Sequence, residues 1–119
     1  MRNEGLQKTL IAGAAVNPNR IVKFGSADTQ AVQAAAATDK SMGVSDNLGA
    51  ASGETFDVIV DGIALVKYGG NVAAGDLLTS DANGQAIATT TASNRVIGIA
   101  MLSGVSGDIG SVRIAPGSV

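Results

Sequence analysis

The stretch Thr55 to Tyr68, Thr-Phe-Asp-Val-Ile-Val-Asp-Gly-Ile-Ala-Leu-Val-Lys-Tyr, is the longest in the chain whose pattern dictates a conformation. Phe56, Val58 and Val60 alternate with Asp57, Ile59 and Asp61, and a period of two puts one side of a strand in a core and the other in water. Past Gly62 the alternation fails, because Ile63 and Leu65 are apolar on one parity while Ala64, Val66 and Tyr68 are apolar on the other. A glycine at that point is a natural bulge or bend. The expectation is a bent strand whose second half is covered on both faces.

The chain also repeats itself. At a spacing of 55 residues, Gln30-Ala31-Val32 returns as Gln85-Ala86-Ile87, Asp39-Lys40 as Asn94-Arg95, and Gly43-Val44 as Gly98-Ile99. With one residue deleted, Ser52-Gly53-Glu54 matches Ser106-Gly107-Asp108, and Val58 with Val60 matches Val112 with Ile114. Upstream, Leu10-Ile11 sits opposite Leu65-Val66, and Ile21-Val22 opposite Leu77-Leu78 with a shift of one. Such a pattern predicts an internal duplication, with halves of about 6–60 and 61–119 in one β domain. Each half then carries five short strands, near 6–12, 20–24, 30–33, 41–45 and 55–60, then 62–68, 76–80, 85–88, 95–101 and 111–115. Neither half buries its apolar face alone, so the two close on each other. The fold class is all-β, a small pseudo-symmetric β-barrel or compact β-sandwich, which shortens or removes exposed edges.

Turn chemistry agrees. Asp81-Ala82-Asn83-Gly84 lies between two apolar runs, and Asn-Gly accepts positive φ at both central turn positions, so a hairpin with a turn of that type is expected there. Asn17-Pro18-Asn19 and Gly69-Gly70-Asn71 are breakers at corresponding places, and the segments 34–37 and 89–92 read as loops.

Composition narrows the chemistry. The chain has no His and no Cys, so there is no imidazole base, thiolate nucleophile or soft metal ligand of the usual kinds. Asp57 and Asp61 share a solvent face roughly 13 Å apart, too far to work as an acid and base pair. Asp81-x-Asn83-Gly84 opens like a calcium loop but lacks the remaining ligands. No glycine cluster leads from a strand into a helix, as a phosphate cradle requires. With a net charge of −2, eight scattered basic residues and 3% aromatic content, the chain offers no nucleic-acid groove. Glu4 and a short apolar run make residues 2–16 a poor signal peptide, and nothing approaches the roughly 20 residues of a membrane span. No catalysis, cofactor or metal is expected, nor direct contact with nucleic acid or membrane.

Val72-Ala73-Ala74-Gly75-Asp76-Leu77-Leu78-Thr79 is similar to the strand before the carrier hairpin of biotinyl and lipoyl domains, but the tip here carries no lysine. A fuller resemblance rests on the succession Gly53 to Ala64, then Val72 to Leu78, then Asp81 to Ala86, then Val96-Ile97-Gly98-Ile99-Ala100, then Gly107 to Ile114. In that order these pieces resemble the capsid decoration, or cement, proteins of tailed double-stranded DNA phages.

The resemblance implies a β protein that binds the outer face of an assembled shell between capsomers and stabilises it against internal DNA pressure. Its implied partners are the major capsid protein and further copies of itself, with a trimer ahead of a dimer. It is made in the host cytoplasm and ends on the virion surface. Met1, Arg2, Asn3, Glu4 and Gly5 fit an extended N-terminal arm reaching over neighbouring subunits. Ile63 and Leu65, on the unexpected parity, are the candidate oligomer interface. The competing reading is a small-ligand or carbohydrate-binding β-barrel, which needs an apolar pocket with aromatic walls. Phe24, Phe56 and Tyr68 are few for that.

Overall fold

A computed structural model describes residues 4–25, 29–46, 48–91 and 94–118. Nine strands follow one another: β1 (Glu4–Ala12), β2 (Ile21–Phe24), β3 (Gln30–Gln33), β4 (Ser41–Ser45), β5 (Thr55–Lys67), β6 (Leu77–Ser80), β7 (Ala86–Ala88), β8 (Arg95–Ala100) and β9 (Ile109–Ser118). Among the described residues there is no helix. All ten expected strands are present, and the two at the centre, 55–60 and 62–68, form the one bent strand expected over Thr55 to Tyr68. β5 passes through Gly62, whose φ of 87° is open to glycine, and continues into the second half.

The first half closes into a barrel. Neighbours run β1-β3-β2-β4-β5, and β5 pairs back onto β1, so no edge is left. In the second half the end of β5 takes the place of β1, and the order β7-β6-β8-β9-β5 repeats the first. A parallel bridge between Tyr68 and Ala86 stands where β1 and β3 pair in parallel through Ala12 and Ala31.

The repeat holds residue by residue. Val22↔Gln33 and Lys23↔Val32 in the first half become Leu78↔Ala88 and Thr79↔Ile87 in the second. Ile21↔Val44 and Val22↔Gly43 become Leu77↔Ile99 and Leu78↔Gly98, and Val44↔Ile59 becomes Ile99↔Arg113. The loops follow suit. Ala12 N bonds Glu54 O at 2.8 Å, and Tyr68 N bonds Asp108 O at 2.7 Å. Gly53 N reaches Ala12 O at 2.7 Å, and Gly107 N reaches Tyr68 O at 2.8 Å. Two pairings read from the sequence shift: Leu10 corresponds to Val66 and not to Leu65, and the counterpart of Asn19 (φ 58°) is Gly75 (φ 94°), so Asn17-Pro18-Asn19 corresponds to residues 73–75 and not to Gly69-Gly70-Asn71.

Each barrel has its own filling. Leu10, Ala12, Val16, Val22, Ala31, Phe56 and Val58 fill the first. Their counterparts Val66, Tyr68, Val72, Leu78, Ala86 and Val112 lie in the larger second cluster, while Gly110 replaces Phe56. The aromatic has changed strands: the first barrel pairs a small Ala12 with Phe56, the second a large Tyr68 with Gly110. Tyr68 is fully buried, and a Cβ on Gly110 would collide with its ring and hydroxyl.

The inward parity does not switch at Gly62. Phe56, Val58, Ala64, Val66 and Tyr68 all point inward, and Ile63 and Leu65 are only half-buried, so the second half of β5 is not covered on both faces as expected. The odd-numbered residue that is fully buried is Ile59, in the first half. With Ile21, Ala34 and Val44 it forms the outer face of the first barrel that packs against the second. β1 begins at Glu4, paired with Gly62, two residues earlier than expected, and Met1, Arg2 and Asn3 lie outside the described residues.

The turn at Asp81 is a hairpin of a different type from the expected one. Only Gly84 has positive φ (71°), and Asp81 N bonds Gln85 O at 2.9 Å, a three-residue loop with glycine in the left-handed position. In the 34–37 loop, the Asp39 carboxylate accepts from Ala35 N (2.8 Å) and Ala36 N (3.0 Å) and pairs with Lys23 at 3.2 Å. Burial pushes the Asp39 carboxyl up, but the Ala35 amide, Lys23 and the Ala36 amide together hold it below the usual carboxylate range.

Candidate functional site

The connection from β8 to β9 presents apolar side chains to solvent. Met101, Leu102 and Val105 are each about half exposed, as is Ile109 at the start of β9. The backbone beneath them is pinned. Tyr68 Oη donates to Leu102 O at 2.6 Å, Gly104 and Val72 exchange two backbone bonds of 2.9 Å, and Val105 N donates to Asp108 Oδ2 at 3.0 Å. Burial raises the Tyr68 hydroxyl's pKa above the usual tyrosine value, further from neutrality. Side chains of this kind on a fixed loop make a surface for protein contact. The equivalent connection in the first half, between β4 and β5, exposes Leu48 at 81%. Sequence reasoning missed this surface, since Met101-Leu102 and Val105 fall between strands in no periodic pattern. The signal was there in apolar residues set among Ser and Gly where turns are usually polar.

A second feature is an open cleft of about 550 Å³ lined by Gly75, Asp76, Leu77, Ala88, Thr89 and Thr90. None of these lining residues is aromatic.

Of the residues singled out from sequence, Ile63 and Leu65 lie on the outer side of β5, opposite Arg113 and Ser111 of β9. Glu4 and Gly5 begin β1 at the other side of the bend. The two sets therefore meet near Gly62. The Asp57 and Asp61 carboxylates are engaged locally: Thr9 Oγ1 donates to Asp57 Oδ1 at 2.7 Å, and Gly62 N to Asp61 Oδ1 at 2.9 Å. Asp81 Oδ1 accepts from Asn83 N and Gln85 N, a turn role. Among the described residues, no group of three or more His, Cys, Asp or Glu side chains comes together to hold a metal ion.

Residues 2–114 match the family described as phage cement protein. Among solved structures, the chain is similar to the head fiber gp8.5 N base in bacteriophage phi29, with 22% identity and a TM-score of 0.74 over 92% of this chain and 93% of that one. At that identity the likeness is one of fold. No curated protein matches the chain.

Proposed function

Because this chain belongs to the phage cement protein family, and so has a capsid decoration role, we propose that it seats on the outer surface of the assembled shell between capsomers and braces it against the pressure of packaged DNA. The observation that carries the proposal is the family match across residues 2–114, joined to the pinned apolar surface of Met101, Leu102 and Val105. A protein that binds the assembled shell and not its separated subunits stabilises the assembly by mass action. No single strong anchor is needed. A homo-oligomer, trimer ahead of dimer, engages several equivalent sites and gains avidity from many modest contacts.

In this reading Leu102 and Val105 meet the major capsid protein, and Met1, Arg2 and Asn3, the part of the expected arm that precedes β1, reach a neighbouring subunit and add backbone bonds at a sheet edge there. Ile63 and Leu65 contribute to contacts between copies. The protein acts without catalysis and without touching DNA or membrane, and it joins the capsid surface after synthesis in the host cytoplasm.

The test is co-sedimentation with phage shells lacking this protein, after its mass is measured by light scattering. A defined oligomer that pellets in a saturable ratio and raises the temperature the shells survive is expected. Leu102→Ser with Val105→Ser should lower the pelleted fraction at least tenfold, with the far-UV circular dichroism unchanged. Ile63→Ser with Leu65→Ser should dissociate the oligomer; unfolding of the monomer instead would count against an interface there. A folded protein that ignores shells at every concentration overturns the proposal.

A further inference from the structure

The two halves share one backbone plan, so a place where their side chains differ in chemistry marks something the fold itself does not ask for. The loop entering β2 is such a place. Asn17-Pro18-Asn19-Arg20 stands in the first half where Ala73-Ala74-Gly75-Asp76 stands in the second, and the bond from Ser45 N to Arg20 O (2.8 Å) repeats as Ala100 N to Asp76 O (2.9 Å). Asp76 is engaged in its own turn, where its carboxylate accepts from Ala73 N at 3.0 Å. Arg20 carries the opposite charge at the equivalent position and is not engaged. Its Nε is buried without a hydrogen-bond partner, and so is Oδ1 of Asn19 beside it. Buried polar atoms left unpaired are costly and rare in native structures.

The loop is nevertheless held firmly. Ser45, fully buried where the second half has Ala100, accepts from Arg20 N at 3.0 Å and donates to Asn17 O at 2.8 Å. Asn19 N reaches Asp46 O at 3.0 Å, and Lys67 N reaches Asn19 O at 3.0 Å across the joint between the barrels. That last bond brings Lys67 to the loop, and on the ladder Lys67 stands opposite Ile109 of β9. Asn17, Pro18, Asn19, Arg20, Lys67 and Ile109 line one open recess of about 270 Å³. Among the described residues Lys23 pairs with Asp39, whereas Arg20 and Lys67 form no ion pair. Asp46 and Asp108, whose carbonyls accept from Asn19 N and Tyr68 N, direct their carboxylates to Leu48 N and Val105 N, each at 3.0 Å.

We propose that this recess binds a carboxylate of the shell protein, an Asp or Glu side chain held by Arg20 and Lys67 together. The inference rests on the capsid reading above and adds a polar anchor to it. Two cations on a backbone fixed from both barrels select an anion, and charge-assisted bonds to a carboxylate are among the strong ones. The partner is a protein because the recess borders the apolar surface. Ile109 is about half exposed and follows Asp108, whose carboxylate ties it to Val105. An acidic side chain beside an apolar patch therefore fits both features at once. A backbone N–H of the same incoming segment supplies the donor that Asn19 Oδ1 lacks. Complementary charge at such a border fixes orientation on the shell more than it adds raw affinity.

Arg20→Asp with Lys67→Gln is the decisive variant. Asp76 holds the place of Arg20 in the second half, so the fold accepts an aspartate there, and the circular dichroism should match wild type. Arg20→Gln alone carries the same test if the double variant misfolds. Arg95→Asp with Lys8→Gln, two exposed cations outside the recess, changes the net charge equally and serves as the control. Co-sedimentation with shells lacking this protein is run from low to high salt. Binding about tenfold weaker in the recess variant, with a shallower salt dependence, and unchanged in the control is expected. Wild-type binding by the recess variant, while Leu102→Ser with Val105→Ser fails to pellet, would overturn the recess and leave the capsid reading standing. An equal loss in both charge variants would make net charge the cause and also overturn it. A fall in oligomer mass by light scattering along with the loss would put the carboxylate on a sister copy, against the proposal. A wild-type protein that ignores shells would remove both readings.

Discussion

Exchange of the aromatic between strands makes a sharp test of the duplicated design. Tyr68→Ala removes a fully buried ring and its bond to Leu102 O, which costs about 3–5 kcal/mol. Gly110→Phe alone forces a second ring into space already filled by Tyr68, and overpacking costs about 1–3 kcal/mol or more. Added, the two losses reach about 4–8 kcal/mol, against a total stability of about 6–18 kcal/mol for a chain of this length. The double variant, however, rebuilds in the second barrel the arrangement of the first, Ala12 beside Phe56. The backbone permits it, since Gly110 is not among the glycines with positive φ. Urea unfolding followed by circular dichroism, with the slope checked for constancy, should place the double variant within about 2 kcal/mol of wild type, a favourable coupling of at least 2 kcal/mol. If the double variant loses as much as the sum of the singles, the two barrels do not fill by the same rule.

Gly43 and Gly98 occupy one position in the two halves, and a Cβ on either would run into a backbone carbonyl across the ladder, Ile59 O or Arg113 O. Gly43→Ala and Gly98→Ala should each cost about 1–3 kcal/mol; a shift in the urea midpoint for only one of them would contradict their equivalence. Asp39, held below the usual carboxylate range, adds stability above its unfolded pKa that is lost as pH falls through its folded value. Asp39→Asn should therefore be less stable than wild type at pH 7, with the gap closing in acid, and a gap of constant size from pH 7 to pH 2 would remove the charge from the explanation.

How much of this was legible follows from where the pattern was written. The repeat was readable because backbone register needs the same residue types at the same places: Gly43 and Gly98 where strands approach closely, Val58 and Val112 inside, Gly53 and Gly107 at positive φ. The continuity of β5 through Gly62 was legible as one bent strand over Thr55 to Tyr68, although the repeat counted its two halves as separate strands. Ile63 and Leu65 drew attention by parity, yet the residue that the joint buries is Ile59, whose apolar character looked like an ordinary exception on a solvent face. Periodicity within a strand cannot say which of two outward faces another barrel will cover. The exposed residues Met101, Leu102 and Val105 escaped for a different reason: loops carry no period against which an apolar residue stands out.

The single strand that belongs to both barrels has a mechanical meaning. Tension drawn between the first barrel and the second runs along the covalent backbone of β5. To part them, the load must shear two antiparallel ladders lying lengthwise along the pull, Gln7 to Ile11 against Thr55 to Ile59, and Ile63 to Lys67 against Ile109 to Arg113. Ladders loaded in that direction share the force across all their rungs at once, where a peeled hairpin would surrender them one by one. A strap built this way is stiff along its own length and yields only at the bend beside Gly62.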